Sequence, residues 1–193
     1  LRDLPDFDAH VALAKSIKSN PYEFDQLGKR KTLGLLFFNP SLRTRLSTQK
    51  AARLLGMDVM VMNFSNEAWA IEYEDNTIME GLRSEHVKEA AQVVSQYCDV
   101  VGIRAFATLT EKEKDESEQV LLKFIEYASV PILNMESATA HPLQALADAL
   151  TLSELKLPKK PKVVLTWAPV SYTHLRDHET GRTRVCRDRG LKK

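Results

Sequence analysis

Cysteine is scarce: Cys98 and Cys186 are the only two in 193 residues. They form no CxxC pair and no metal-ligand spacing, so neither a disulfide framework nor a zinc site is indicated. No apolar run approaches the ~20 residues that span a bilayer. Neither sign of charge is in excess. The formal net charge is +1, which points to neither nucleic acid nor a membrane surface. The opening LRDLPDFDAH lacks the basic-then-apolar order of a secretion signal, and a cytoplasmic protein is the expectation. A hydrophobic share of 44% is enough for a core, which excludes disordered and fibrous classes.

Apolar periodicity alternates with short β-rich runs. Helical spacing covers residues 8–19, and Asn20-Pro21 ends that stretch. KTLGLLFF (31–38) is a near-continuous apolar run, as expected of a strand covered on both faces. Asn39-Pro40-Ser41 turns the chain into a helix over 42–55, closed by Gly56. A strand follows over 58–62, then a polar stretch over 63–83 without a period, expected to be a long loop. The second half reads as helix 84–97 with Ser84 as its N-cap, strand 99–103, helix 116–128, strand 130–135 and helix 142–155. KVVLT (162–166) would begin a further strand. Such alternation implies βαβ units in the α/β class, a doubly wound parallel sheet with flanking helices. No internal repeat is visible. Ligands in these sheets sit beyond the carboxyl ends of the strands. That rule singles out residues 39–45, 63–84, 104–108 and 136–144. The final segment, 170–193, is basic with hardly any aliphatic residue, and reads as a non-native or disordered tail.

Three of these places carry chemistry. In Asn-Pro-Ser-Leu-Arg-Thr-Arg (39–45) a strand delivers the chain to a helix N-terminus. There the backbone N–H groups are unpaired and the dipole is positive. Ser41 and Thr44 add hydroxyls, Arg43 and Arg45 add charge, and together with the amides they make a compact phosphate site. The two arginines are two apart on a helix, so they face different points. In His141-Pro142-Leu143-Gln144 the His and Gln lie three apart and can share one crevice. A His can donate to a growing oxyanion, and a Gln carbonyl can accept from an amide nitrogen. Arg104 stands just past the apolar DVVGI run, where an anion anchor belongs. Each has an ordinary alternative, a capped helix or a surface charge. Their common position at the strand carboxyl ends of one sheet favours a site.

The same residues carry a family resemblance. NPSLRTR resembles the Ser-x-Arg-Thr-Arg carbamoyl-phosphate motif of aspartate and ornithine transcarbamylases, and HPLQALADALTL resembles their His-Pro-x-Gln motif and following helix. FFNPSLRTRLSTQKAARLLGMDV, EAWAIE, CDVVGIRAFA and KVVLTWAP are more similar to the N-acetylornithine and N-succinylornithine branch. The resemblance runs from near the start to Pro169.

It implies a carbamoyl-phosphate-binding domain over 1–155, the start of a truncated acyl-ornithine-binding domain over 156–169, and a fragment inactive by itself. It also implies transfer of a carbamoyl group to the δ-amine of an N-acylornithine in arginine biosynthesis, with no metal or organic cofactor. Ser41, the amides of Leu42 to Thr44, Arg43, Thr44 and Arg45 would hold the phosphate. Arg104, His141 and Thr44 would act on the carbonyl oxygen, and Gln144 would fix the carbamoyl nitrogen. Trp69 would reach the neighbouring active site of a homotrimer in trans. Glu136 and Ser84 would bind the acyl-ornithine. Ser84 falls where acetyl-specific enzymes resemble each other in carrying Glu and succinyl-specific ones in carrying Pro. A Glu would repel a succinyl carboxylate and Ser would not, which tilts the expectation towards succinyl. The alternatives are an ornithine or aspartate transcarbamylase, a non-catalytic phosphate-binding module, and nucleic-acid binding through the basic tail. Trp69 speaks against the first, and His141 with Gln144 against the second.

Overall fold

A computed structural model describes residues 5–64, 70–79, 83–108, 110–155 and 162, with the backbone alone at 83 and 84. Trp69, nearly all of segment 156–169 and the whole of 170–193 lie outside the described residues.

Helix α1 (Phe7–Ser19) starts where the Asp6 carboxylate accepts from the Ala9 amide at 3.0 Å. Strand β1 (Thr32–Phe37) then enters a four-stranded sheet with β2 (Asp58–Asn63), β5 (Val100–Ala105) and β6 (Ile132–Ser137). The spatial order is β2-β1-β5-β6 and every pairing is parallel. Helix α2 (Arg43–Leu54) links β1 to β2, and helices α4 (Lys112–Glu116) and α5 (Gln119–Tyr127) link β5 to β6.

The apolar run of β1 is explained by what covers it. Leu33, Leu35 and Phe37 pack with Ala52 of α2 and Met135. Leu36 packs on the other face with α3 (Val87–Tyr97) and with Leu121 and Phe124 of α5. Leu35, Leu36, Phe37 and Phe124 are almost completely buried, each such side chain contributing about 1.5–3 kcal/mol relative to exposure. Helix α6 (Pro142–Glu154) contacts β6, and α1 packs on α6 with Lys18 paired to Glu154 at 2.7 Å. Gly56 ends α2 at φ +77, and a Cβ there would lie 2.1 Å from the Asp25 carbonyl oxygen. Only glycine fits that turn.

Three expectations need correction. The stretch 63–83 is not all loop, because β3 (Ala70–Glu72) pairs in parallel with β4 (Arg83–His86). Strands of three and four residues are too short to show a period, so the sequence hides them. Ser84 is therefore a strand residue. The N-cap of α3 is His86, whose Nδ1 accepts from the Lys88 amide at 3.1 Å. The expected helix 116–128 is present as α5 but starts only at Gln119, because Glu118 at φ +49 forms an elbow that separates it from the unforeseen short helix α4.

The chain runs outward from β1 to β2, then crosses back to β5. The connection leaving β1 feeds α2 on one face, and that leaving β5 feeds α5 on the other. Their divergence opens a crevice at the carboxyl ends of β1 and β5.

Candidate active site

The β1–α2 turn is built by its side chains. Ser41 Oγ accepts from the Thr44 amide at 3.2 Å, and Leu42 O already accepts from the Leu46 amide at 3.1 Å. Ser41 is thus a side-chain cap that fixes the first turn of α2. The positive helix end faces the crevice. Arg45 folds down across the strand ends: its Nη2 donates to Asn63 Oδ1, and its guanidinium lies 4.9 Å from the Phe37 ring centroid. Arg43 is exposed and has no ion-pair partner among the described residues. The two arginines diverge as their spacing requires.

Arg104 lies inside β5, not past its end, and is 8% exposed. A buried guanidinium must be satisfied by partners. Its Nε and Nη2 both meet Glu136 Oε2 at 2.9 Å, while Nη1 donates to the carbonyls of Asn39 (3.1 Å) and Pro40 (2.8 Å). Its guanidinium also stacks 4.6 Å from the Phe106 ring centroid. Asn39 adds a second tie by accepting from the Phe106 amide at 2.9 Å through Oδ1. One arginine therefore holds the β1 turn, β5 and β6 together.

A bulge makes this pairing possible. The β5–β6 register passes from Ile103↔Asn134 to Arg104↔Glu136, leaving Met135 as the extra residue. Without it Arg104 would face Met135. The bulge re-aims one side chain, the recurrent use of such irregularities beside sites. Glu136, expected to touch an acyl-ornithine from a loop, is a strand residue 5% exposed and bound to Arg104.

His141 caps α6. Its Nδ1 accepts from the Gln144 amide at 3.4 Å, and its Nε2 lies 3.7 Å from Glu136 Oε2. An accepting Nδ1 assigns the neutral ring's proton to Nε2, the nitrogen beside the carboxylate. Gln144 Nε2 donates to Asp148 Oδ1 at 2.8 Å, so its carbonyl is the end suited to a ligand's N–H. The turn before His141 is tight: Ser137 N donates to Ala140 O at 2.8 Å, and Ser137 Oγ accepts from Asn134 Nδ2 at 3.0 Å and from the Ala140 amide at 3.3 Å.

Ser41, Thr44, Arg45, Arg104, Glu136 and His141 thus gather at the carboxyl ends of β1, β2, β5 and β6. Trp69 lies outside the described residues, and of Ser84 only the strand backbone is described. Sequence reasoning missed Asn39, Asn63 and Phe106 as ties. Asn39 had a signal, because an Asn before Pro marks a turn. The other two had none. Among the described residues, no group of three or more His, Cys, Asp or Glu could hold a metal ion, and no helix is long and apolar enough to cross a membrane.

The profile of the aspartate/ornithine carbamoyltransferase carbamoyl-P binding domain matches residues 3–154. The chain is 46% identical over 169 residues to the N-succinylornithine carbamoyltransferase of Bacteroides thetaiotaomicron, covering 88% of this chain and 53% of that protein. It is 41% identical over 165 residues to the N-acetylornithine carbamoyltransferase of Xanthomonas campestris pv. campestris, covering 84% and 48%. A crystal structure of N-acetyl-L-ornithine transcarbamylase superposes with a TM-score of 0.70 at 39% identity, over 77% of this chain and 43% of that one. A glutamate-to-serine mutant of an N-acetyl-L-ornithine transcarbamylase, complexed with carbamyl phosphate and N-succinyl-L-norvaline, gives 0.71 at 41% identity, over 77% and 44%. The chain spans about half the length of the curated relatives it matches. With its switch-point crevice, its capped SLRTR turn and its bulge-paired arginine, the chain belongs to the aspartate/ornithine carbamoyltransferase family and carries that family's carbamoyl-P binding domain.

Proposed function

We propose that this chain forms the carbamoyl-phosphate half of an active site that transfers the carbamoyl group to the δ-amine of an N-acylornithine, within arginine biosynthesis and in the cytoplasm. The observation that carries it is the sharing of Glu136 Oε2 by Arg104 and His141, while Arg104 also holds the carbonyls just before the Ser41 cap. Phosphate binding and carbonyl activation are thereby fixed in one frame.

The phosphate sits on the α2 N-terminus, with Ser41, the amides of Leu42 to Thr44, Thr44, Arg43 and Arg45 around it. The amine attacks the carbonyl carbon, a C–N bond forms, and negative charge grows on the carbonyl oxygen. Arg104, Thr44 and His141 Nε2–H stabilise that charge, and each donor of this kind is worth about 3 kcal/mol. The C–O bond to phosphate then breaks, and the departing phosphate takes the amine's proton. Gln144 holds the carbamoyl nitrogen through its carbonyl. Much of the remaining rate comes from orienting two bound substrates.

The acyl group is read as succinyl. A serine at position 84 would carry no negative charge to repel a succinyl carboxylate. We take the substituted glutamate of the mutant holding N-succinyl-L-norvaline as the counterpart of Ser84, which supports the same preference. A homotrimer with Trp69 acting across subunits completes the proposal, together with a second domain for the acyl-ornithine.

The test is His141→Ala in the whole protein encoded by the gene that contains this chain. Turnover should fall roughly 10²–10³-fold while carbamoyl phosphate binding, measured by calorimetry, changes little. Equal losses in both would remove His141 from the chemical step. Assays with succinyl-, acetyl- and free ornithine settle the acceptor.

A further inference from the structure

Two acidic side chains at the α4–α5 elbow each take the amide and the hydroxyl of one threonine. Asp115 Oδ1 accepts from Thr108 N at 2.8 Å and from Thr108 Oγ1 at 2.9 Å. Glu118 Oε1 accepts from Thr139 N at 2.8 Å and from Thr139 Oγ1 at 2.6 Å. Thr108 lies in the segment that leaves β5 just after Arg104 and Phe106. Thr139 lies two residues before His141. The elbow itself is anchored by Leu121 and Phe124, buried in the core on α5. Glu118 also holds a left-handed backbone at φ +49 and donates its own amide to Asp115 O at 3.2 Å. A non-glycine residue kept there is strained, and such strain persists where surrounding contacts over-determine it.

We propose that this elbow is a clasp that sets His141 against Arg104, with Glu118 as the positioning residue. It touches no substrate. It acts through Thr139, fixing the turn that carries His141, while Asp115 fixes the segment that follows Arg104. Charge-assisted bonds from two donors to one carboxylate oxygen are short and directional, which suits holding a loop more than adding bulk stability. The proposal rests on the assignment of Arg104 and His141 to the carbonyl oxygen given above.

Glycine adopts φ +49 freely, so Glu118→Gly removes the carboxylate and the strain together. In the whole enzyme it should lower kcat roughly ten- to a hundredfold, the scale of a misplacement of about 1 Å. The KM for carbamoyl phosphate should hold, and the thermal midpoint should stay level or rise. Glu118→Gln keeps an acceptor oxygen and should restore most of kcat. Thr139→Val keeps the amide donor but not the hydroxyl, and should fall in between. Amide hydrogen exchange at Thr139 should quicken in Glu118→Gly. A wild-type kcat in Glu118→Gly, or an equal fall in Glu118→Gln, overturns the clasp. His141→Ala, assayed in parallel, separates the two ideas. If it spares turnover, the reading of the site itself fails. If it cripples turnover while Glu118→Gly does not, only the clasp falls.

Discussion

Two ion pairs in this chain have similar geometry and opposite meaning. Arg104 meets Glu136 at 2.9 Å with side chains 10% and 7% exposed. Lys123 meets Asp75 at 2.6 Å with side chains 20% and 48% exposed. The shorter, more exposed pair contributes little despite its distance, because solvent and ions screen it and two mobile side chains must be ordered to form it. The buried pair adds little net stability as a pair, since desolvation offsets its attraction. Its effect lies in what happens when half of it is removed. Either partner alone would be a buried charge among the strand ends, so the pair locks the β1 turn, β5 and β6 into one geometry. The Lys123–Asp75 pair, joined by Tyr127 donating to Asp75 at 2.9 Å, instead tacks the segment after β3 onto α5.

The comparison can be broken or sharpened by measurement. Glu136→Ala should destabilise by about 3–5 kcal/mol, the cost of orphaning a buried guanidinium, read as a shift of the urea midpoint at unchanged slope. A loss no larger than that of Asp75→Asn would erase the distinction. Arg104→Lys keeps the charge but cannot reach Glu136 and two backbone carbonyls at once. It should lose roughly 2 kcal/mol, on the scale of a charge-assisted hydrogen bond, together with turnover in the whole enzyme. Salt should discriminate next: raising ionic strength should shrink the effect of Asp75→Asn and leave that of Glu136→Ala nearly unchanged.

The smallest expected effect is that of acid on Asp75. Hydrogen bonding from Lys123 first, then from Tyr127, holds its carboxyl below the ordinary Asp value of 3.8. The folded value is lower than the unfolded one, so its contribution is complete above 3.8 and is lost as pH falls through the folded value. Asp75→Asn should therefore differ from wild type in stability at neutral pH and converge with it in acid, followed by circular dichroism. A difference that persists unchanged in acid would show that the Asp75 charge is not its source.

Local periodicity and turn chemistry made much of this chain legible. The apolar run of β1 announced a strand buried on both faces, Gly56 announced the end of α2, and Pro142 the start of α6. The SLRTR turn could be read as a helix N-terminus held by Ser41, because such a cap is a local object, complete within a few residues. The His141 and Gln144 pair was visible for the same reason. Ser84 shows the limit. It has the chemistry of an N-cap, yet the parallel pairing of β3 with β4 draws it into a strand, and the cap falls to His86. No spacing within 63–83 foretells that partner.

Sequence by itself therefore determined most of the helices and the long strands, whose alternation implied the parallel sheet, and the residue types at the strand ends, because periodicity and caps are local. The short strands β3 and β4 and the α4–α5 elbow escaped it. Tertiary structure alone decided that Arg104 is buried inside β5, that one bulge turns Glu136 towards it, and that Glu118 reaches Thr139 across 21 residues. The physical reason is that the third depends on how α5 packs beside β6, and the first two on the register between strands brought together by crossovers. A shift of one residue there changes which side chains meet, without altering the local pattern that the sequence displays.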